Sequence, residues 1–305
     1  MIINRREFIN KSVKAGVLTT ASLAFGKIPN LLASTPQEFD LVAIKGGEPD
    51  FMFDKAINSI GGMKSFVKKG NTVVVKPNIG WDVIPERAAN TNPHLVKRII
   101  EHCFEAGAKD VYVFDHTCDD WNSCYSNSGI ERAVKDAGGK IVPGNSERYF
   151  QEVDVSGGER LKKAKVHELI LESDVFINVP VLKSHSSAEL TMSMKNLMGI
   201  VWDRRYWHRN DLHQCIADFT SFRKPDLNVI DAYYVMKKNG PRGVSKADVV
   251  TMKSQIISSD IVAADAAAAK LFGLEPKDID YLEIANKMKL GEIDLNKLNI
   301  NRIIL

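Results

Sequence analysis

The chain has 305 residues, of which 44% are hydrophobic and 26% are charged, as is typical of a globular protein. This composition excludes collagen, disorder and a multi-span membrane protein. The formal net charge is only +3, and no segment combines many Lys and Arg with aromatic residues, so nucleic acid is excluded as a partner. Four cysteines in a chain long enough to bury a core do not indicate a disulfide scaffold.

The first element is a predicted export signal over residues 1–33. Arg5 and Arg6 are followed by Glu7, Phe8 and Ile9, an order that resembles the twin-arginine signal. An uncharged run over 15–26 and a possible cleavage site near Ala33 complete the layout of a secretory leader. This pattern predicts the twin-arginine export machinery as a partner and an exported, periplasmic, soluble mature protein without a transmembrane segment. The alternative is an amphipathic first helix.

Residues 34–305 alternate short apolar runs with segments of helical period, which predicts a single α/β domain. The apolar runs are continuous in Val and Ile, as in strands that are buried on both faces of a parallel sheet. We therefore expect a mostly parallel sheet with helices on both faces. The predicted strands are 41–44, 72–75, 111–114, 140–142, 175–179, 227–230 and 255–257, and the predicted helices include 93–106, 130–137, 211–222 and 261–272.

Two of the predicted helices have clear start and stop signals. Asn92-Pro93 supplies a cap and a first-turn proline for one, and Gly107 ends it. Asp260 caps the alanine-rich helix that Gly273 ends. Residues 185–213 break the alternation, because they are rich in Ser, Met, Trp and Arg. We expect this stretch to form an inserted lobe or lid.

Four predicted strands lead into charged or amide side chains. Ligands of open α/β sheets bind at the carboxyl ends of the strands, so these side chains are expected to converge on one site. Lysines at such a place would bind a carboxylate or phosphate, and histidines would transfer protons or bind a metal. The residues concerned are Lys76, Asn78, Asp115, His116, Lys183, His185 and Asp231.

Three further segments supply candidates. Lys195 and Asn196 lie near the start of the atypical stretch, and His208 ends a cationic and aromatic run. Arg242 lies in a Gly-Pro-Arg-Gly loop that could hold an oxyanion. The alternative for Lys195 is a helix that packs its Met residues in the core and leaves the lysine solvated. The alternative for the run that ends in His208 is a partner-binding surface, and that for the Arg242 loop is an ordinary turn. We assign His185, Lys183 and His116 to catalysis, Lys76, Asn78, Lys195, Asn196, His208 and Arg242 to ligand binding, and Asp115 and Asp231, with His185, to a divalent metal.

Cys118 and Cys124 lie near His116, but their spacing matches no standard zinc or iron–sulfur motif. A disulfide or two free thiols are both open, and Cys103 is expected in the core. No nucleotide fingerprint, Walker loop, zincin helix or nucleophile elbow is present.

The order of these motifs resembles the family called domain of unknown function 362, and the resemblance covers nearly all of the chain after residue 33. The motifs are Lys76-Pro77-Asn78, Thr91-Asn92-Pro93, Lys183-Ser184-His185, Lys195 to Gly199, His208, Asp231, Gly240 to Gly243, and Asp260 through Asp265. Many members carry a fused ferredoxin-like domain with closely spaced cysteines. Because the cysteines here lack that spacing, no internal iron–sulfur cluster is expected.

The lysines and histidines at strand ends are also distantly similar to the nickel-pincer lactate racemase group. That group binds a phosphate-bearing nickel cofactor through lysine and histidine, although the similarity implies no particular nickel ligand here. We expect an exported enzyme that acts on a small carboxylate or phosphate. The alternatives are a non-catalytic periplasmic binding or cofactor-delivery protein, and a redox accessory protein that uses Cys118 and Cys124.

Overall fold

The predicted alternation of strands and helices produces a large, mostly parallel sheet with helices on both faces. The computed structural model describes residues 39–305, and the predicted export signal lies outside the described residues. The strands are β1 Leu41–Lys45, β2 Thr72–Pro77, β3 Asp110–Val113, β4 Lys140–Ile141, β5 Phe150–Asp154, β6 Lys163–His167, β7 Val175–Val179, β8 Val181–His185, β9 Glu189–Thr191, β10 Leu227–Met236, β11 Val249–Ser258 and β12 Ile300–Ile304.

The helices lie where the helical period predicted them, together with others that the pattern did not single out. They are α1 Pro49–Ser59, α2 Pro93–Glu105, α3 Trp121–Asn127, α4 Ile130–Asp136, α5 Glu168–Glu172, α6 Ser193–Asn196, α7 Arg204–Arg209, α8 Leu212–Phe222, α9 Ile261–Phe272 and α10 Asp280–Lys287.

The strands of the main sheet follow the order β12-β1-β11-β10-β7-β2-β3-β4, with β8 beside β10 and β9 beside β8. Every pairing among β2, β3, β4, β7 and β10 is parallel, and β11 runs antiparallel to both of its neighbours. A separate hairpin joins β5 to β6. The parallel strands therefore direct their carboxyl ends to one edge, where ligands of such sheets bind.

Two hydrophobic cores cover the sheet. Val73 and Val75 of β2 face the core that includes α1, α2 and α4, whereas Val74 faces the core that includes α8, α9 and α10. All three valines are fully buried. A strand that is buried on both faces has apolar residues at consecutive positions, and the continuous valine run therefore predicted β2 correctly.

The caps of α2 and α9 agree with the sequence signals. The Asn92 side chain accepts a hydrogen bond from the His94 N–H, and Asp260 accepts from the N–H groups of Val262 and Ala263. Gly273 ends α9 in the left-handed conformation with φ of 100°, which costs glycine little.

β10 and β11 are both longer than predicted, with 10 residues each. The second half of β10 pairs with the first half of β11 as an antiparallel ribbon. This half of β11 is partly exposed, so its sequence lacks the continuous apolar pattern. The extension places Asp231 inside β10. The prediction that Asp231 follows the end of a strand is therefore wrong.

Residues 185–213 form only short elements, β9, α6 and α7, as the broken alternation indicated. Residues 190–201 are buried, with Met192, Met194 and Met198 in the hydrophobic core. Asp265 of α9 holds α6 in place, because its carboxylate accepts hydrogen bonds from the N–H groups of Ser193, at 2.6 Å, and Met194, at 2.9 Å. The residues around Ser186 and those around α7 are largely exposed.

Candidate functional site

Most of the predicted site residues line one cavity of about 320 Å³ at the carboxyl edge of the sheet. β2 ends in Lys76 and Pro77, β8 ends in Lys183 to His185, and α6 ends in Lys195 and Asn196. The predicted residues at the cavity are Lys76, Asn78, Asp115, Lys183, His185, Lys195, Asn196 and His208.

A buried ion pair forms the floor of the cavity. The Lys76 ammonium lies 3.0 Å from Asp115 Oδ1 and donates a hydrogen bond of 2.7 Å to Asn196 Oδ1. Asp115 Oδ2 accepts a hydrogen bond from the Ile79 N–H at 2.7 Å. Burial lowers the pKa of Lys76, and the attraction of Asp115 opposes this shift. The negative charge of Asp115 is thus balanced by Lys76.

Gly199 allows this pair to form. A Cβ atom at this position would lie 1.8 Å from Asp115 Oδ1 and 2.5 Å from Lys76 Nζ, inside the radii of both atoms. The backbone carbonyl of Gly199 also accepts a hydrogen bond from the His116 N–H. The glycine thus lets the segment after α6 approach the ends of β2 and β3.

Side-chain amides connect the lysines to each other. Asn78 donates to Asn196 Oδ1 at 2.9 Å, and its own Oδ1 accepts from Lys183 Nζ at 2.9 Å. Asn196 in turn donates to the Oδ1 atom of Asn178, at 2.9 Å. Asn178 was not predicted, because it lies inside the apolar run of β7, where only its amide distinguishes it.

The lysines at the cavity are strongly desolvated. Burial lowers the pKa of Lys183 to about 7 and that of Lys195 to about 8. Lys183 is bound to Asn78 and to the Ala89 carbonyl. The Lys195 ammonium, in contrast, has no hydrogen-bond acceptor or carboxylate partner among residues 39–305, although the side chain is only 9% exposed.

Two histidines face the same cavity. Burial, together with the charges of Lys195 and Lys183, lowers the pKa of His185 to about 2. Burial also lowers the pKa of His208, whose ring is stacked on that of His185 with centroids 6.4 Å apart. His185 Nδ1 accepts a hydrogen bond from the Ser187 N–H, which assigns the ring proton to Nε2. The cavity therefore presents neutral imidazoles.

Two arginines of α7 complete the wall, although the sequence argument selected only His208 from this segment. Arg204 donates hydrogen bonds of 2.7 Å to the carbonyl groups of His116 and Thr117. Arg205 makes no side-chain hydrogen bond or ion pair within the described part of the chain. The cationic and aromatic run was the signal for both residues.

His116 and Arg242 do not line this cavity. The His116 ring stacks on Trp202 at 4.8 Å and lies in a neighbouring groove of about 850 Å³. Arg242 is largely exposed and pairs with Asp119 at 3.3 Å. Their sequence neighbours Asp115 and Pro241 line the cavity, whereas the side chains of His116 and Arg242 do not.

The expected metal set of Asp115, Asp231 and His185 is not brought together. The buried Asp231 carboxylate accepts hydrogen bonds from the N–H groups of Asn92, at 2.7 Å, and Tyr233, at 3.0 Å, and does not line the cavity. Burial raises the pKa of Asp231 to about 6. Its contacts fix the loop before α2 to β10, which is a structural role.

The four cysteines are free thiols. Cys118 is exposed at the cavity, whereas Cys124, Cys215 and Cys103 are buried. Of the two alternatives for Cys118 and Cys124, the structure has free thiols. Cys103 lies in the core, as its position on the apolar face of α2 predicted.

A family model described as Domain of unknown function (DUF362) matches residues 73–270, which include β2 through most of α9 and all of the cavity residues named above. The chain belongs to this family. The resemblance inferred from the order of the motifs is thus confirmed.

Two further proteins are similar to this DUF362 chain. A thylakoid-associated protein of Synechocystis sp. (strain ATCC 27184 / PCC 6803 / Kazusa) is 27% identical over 243 residues, which cover 77% of this chain and 73% of that protein. Among solved structures, the lactate racemase apoprotein from Thermoanaerobacterium thermosaccharolyticum matches with a TM-score of 0.47 and 11% identity. That match covers 77% of this chain and 57% of the other.

Within residues 39–305, no helix of this DUF362 protein combines the length and the apolar character needed to cross a membrane.

Replacing Gly199 with Ala is expected to lower the free energy of unfolding by about 1–3 kcal/mol or more, because the methyl group overlaps the Lys76–Asp115 pair. Urea denaturation measures the effect. Gly80→Ala is the matched control at the same cavity, since its Cβ would come no closer than 3.7 Å to any atom. Equal stability of the two variants would show that the pair does not require the glycine.

Proposed function

We propose that the cavity binds a small carboxylate or phosphate ligand, and that the protein is an enzyme that transfers a proton to or from this ligand. The buried Lys195 ammonium, without a partner among the described residues, is the main support. A buried charge that has no partner is unfavourable, and a bound anion would supply the missing partner.

The charges around the cavity support an anionic ligand. Within residues 39–305, five cationic side chains line it, against the single carboxylate of Asp115, which is paired with Lys76. Arg205 is available for a second contact, and a guanidinium group binds carboxylates and phosphates through two parallel hydrogen bonds. The volume of about 320 Å³ suits a small ligand.

Lys183 is the best candidate for proton transfer. Its pKa of about 7 means that both protonation states are populated near neutral pH, as an acid–base catalyst requires. His185 has a pKa of about 2 and carries its proton on Nε2, so it fits a hydrogen-bond donor to the ligand better than a base. Lys195 would hold the ligand charge, and His208 would assist His185.

A non-catalytic binding or cofactor-delivery protein is the second candidate. The low pKa of His185 favours it, because an imidazole that stays neutral can bind a ligand without exchanging protons. The hydrogen bonds from Lys183 to Asn78 and Ala89 are also compatible with a fixed binding group. The two candidates differ in whether Lys183 changes its protonation state during a reaction.

Anion binding is tested by calorimetric titration with sulfate at constant ionic strength. We expect Lys195→Met to lower the sulfate affinity by about tenfold to a hundredfold, since a hydrogen bond to a charged group contributes about 1.5–3 kcal/mol. Lys135→Met is the control, because Lys135 is an exposed lysine paired with Glu131. Equal affinity in wild type and Lys195→Met, or no wild-type binding of sulfate, phosphate or acetate, would contradict the proposal.

Proton transfer is tested by incubation with acetate, glycolate and succinate in D₂O. We expect deuterium to enter the C–H bond beside a carboxylate, and Lys183→Met to slow the exchange by about a hundredfold or more. Lys135→Met should exchange at the wild-type rate. Binding of these carboxylates without any exchange would favour the binding protein over the enzyme.

Export of this protein is likewise a proposal, supported by the arginine pair and the leader pattern of residues 1–33. Replacement of Arg5 and Arg6 by lysine should retain the full-length chain inside the cell, whereas the wild type should be recovered outside the inner membrane without its leader. Fractionation and intact-mass measurement decide this. Full-length wild-type chain found only in the cytoplasm would contradict it.

A further inference from the structure

A second cluster of ligand-type side chains lies beside the cavity, where the β8–β9 hairpin meets two helices. Glu189 is the first residue of β9, His213 belongs to α8, and Asp280 is the first residue of α10. Each offers one nitrogen or oxygen atom, and these atoms lie within 4.8 Å of one another. No predicted site residue belongs to this cluster.

The histidine in the cluster has an unsatisfied ring nitrogen. His213 Nδ1 is buried and has no hydrogen-bond partner within residues 39–305, where the closest carboxylate oxygen, Glu189 Oε2, is 3.9 Å away. That distance is too long for a hydrogen bond. Two ligand atoms that each bind one zinc-sized ion at about 2.0–2.2 Å stand about 3–4 Å apart. The gap therefore suits an ion between the two side chains.

The two carboxylates of the cluster also favour the binding of a cation. Glu189 and Asp280 form no ion pair with any lysine or arginine among residues 39–305, so His213 is the sole side chain that could balance them there. A divalent cation between these side chains would neutralise both carboxylates.

We propose that Glu189, His213 and Asp280 bind a divalent transition-metal ion of the zinc type. One imidazole and two carboxylates suit such an ion, whereas Mg²⁺ and Ca²⁺ prefer ligand sets made only of oxygen. Three protein ligands leave at least one coordination position for water or for another ligand. This site is distinct from the set of Asp115, Asp231 and His185 that the sequence indicated.

Metal binding at this place would order the hairpin that carries His185. Glu189 lies directly opposite His185 in the β8–β9 ladder. An ion held by β9, α8 and α10 would join three elements that are far apart in sequence. It would also stabilise the folded state by mass action, because the site exists only when these elements are assembled.

The test is calorimetric titration of the EDTA-treated, dialysed full-length protein with ZnCl₂. We expect one equivalent of Zn²⁺ to bind, and His213→Gln and Glu189→Gln each to lower the affinity by about a hundredfold or more, since each removes a direct ligand. His94→Gln, at an exposed histidine of α2, should bind Zn²⁺ as the wild type does. Circular dichroism confirms that each variant is folded.

The exposed Cys118 thiol is the competing zinc ligand, and Cys118→Ser separates the two sites. Zinc binding that persists in Cys118→Ser and is lost in Glu189→Gln supports the proposal. No wild-type binding, or binding that both His213→Gln and Glu189→Gln retain, overturns it. Binding that His94→Gln weakens equally is adventitious and also overturns it.

Discussion

Among the described residues, three buried lysines line the cavity at the edge of the sheet, and Asp115 is the single carboxylate there that could neutralise them. Asp115 pairs with Lys76, the side-chain amides of Asn78 and Asn196 connect Lys76 to Lys183, and Lys195 faces the cavity without a partner among the described residues. Desolvation of these charges is unfavourable. An anion in the cavity is the simplest compensation, and the proposed function depends on this imbalance.

Two parts of the fold bring these side chains together, the parallel sheet and the segment after β9. Parallel strands bring the ends of β2 and β8 to the same edge, as in other open α/β sheets. The buried segment after β9 then adds Lys195 and Asn196, and it approaches closely because Gly199 has no side chain and because Asp265 fixes the start of α6. The site is thus partly a property of the sheet and partly of the irregular segment that covers its edge.

The sequence predicted the parts of the fold that depend on local pattern. Continuous valine runs and capping residues located β2, β7, α2 and α9, because burial on both faces and helix ends leave direct signals. The same reasoning placed Asp231 outside its strand, since a polar residue inside β10 looks like the end of an apolar run. The direction of a side chain depends on tertiary contacts, so the stacking of His116 on Trp202 left no trace in the pattern.

The protonation of the buried lysines tests the account most directly. NMR titration of selectively labelled lysine side chains reports the pKa values of Lys183 and Lys195 with and without sulfate. Without sulfate we expect a pKa of about 7 for Lys183 and of about 8 for Lys195. With saturating sulfate we expect both pKa values to rise, because a bound anion favours the charged form. If both pKa values were near those of ordinary exposed lysines and unchanged by sulfate, the account of a desolvated cationic cavity that binds an anion would be contradicted.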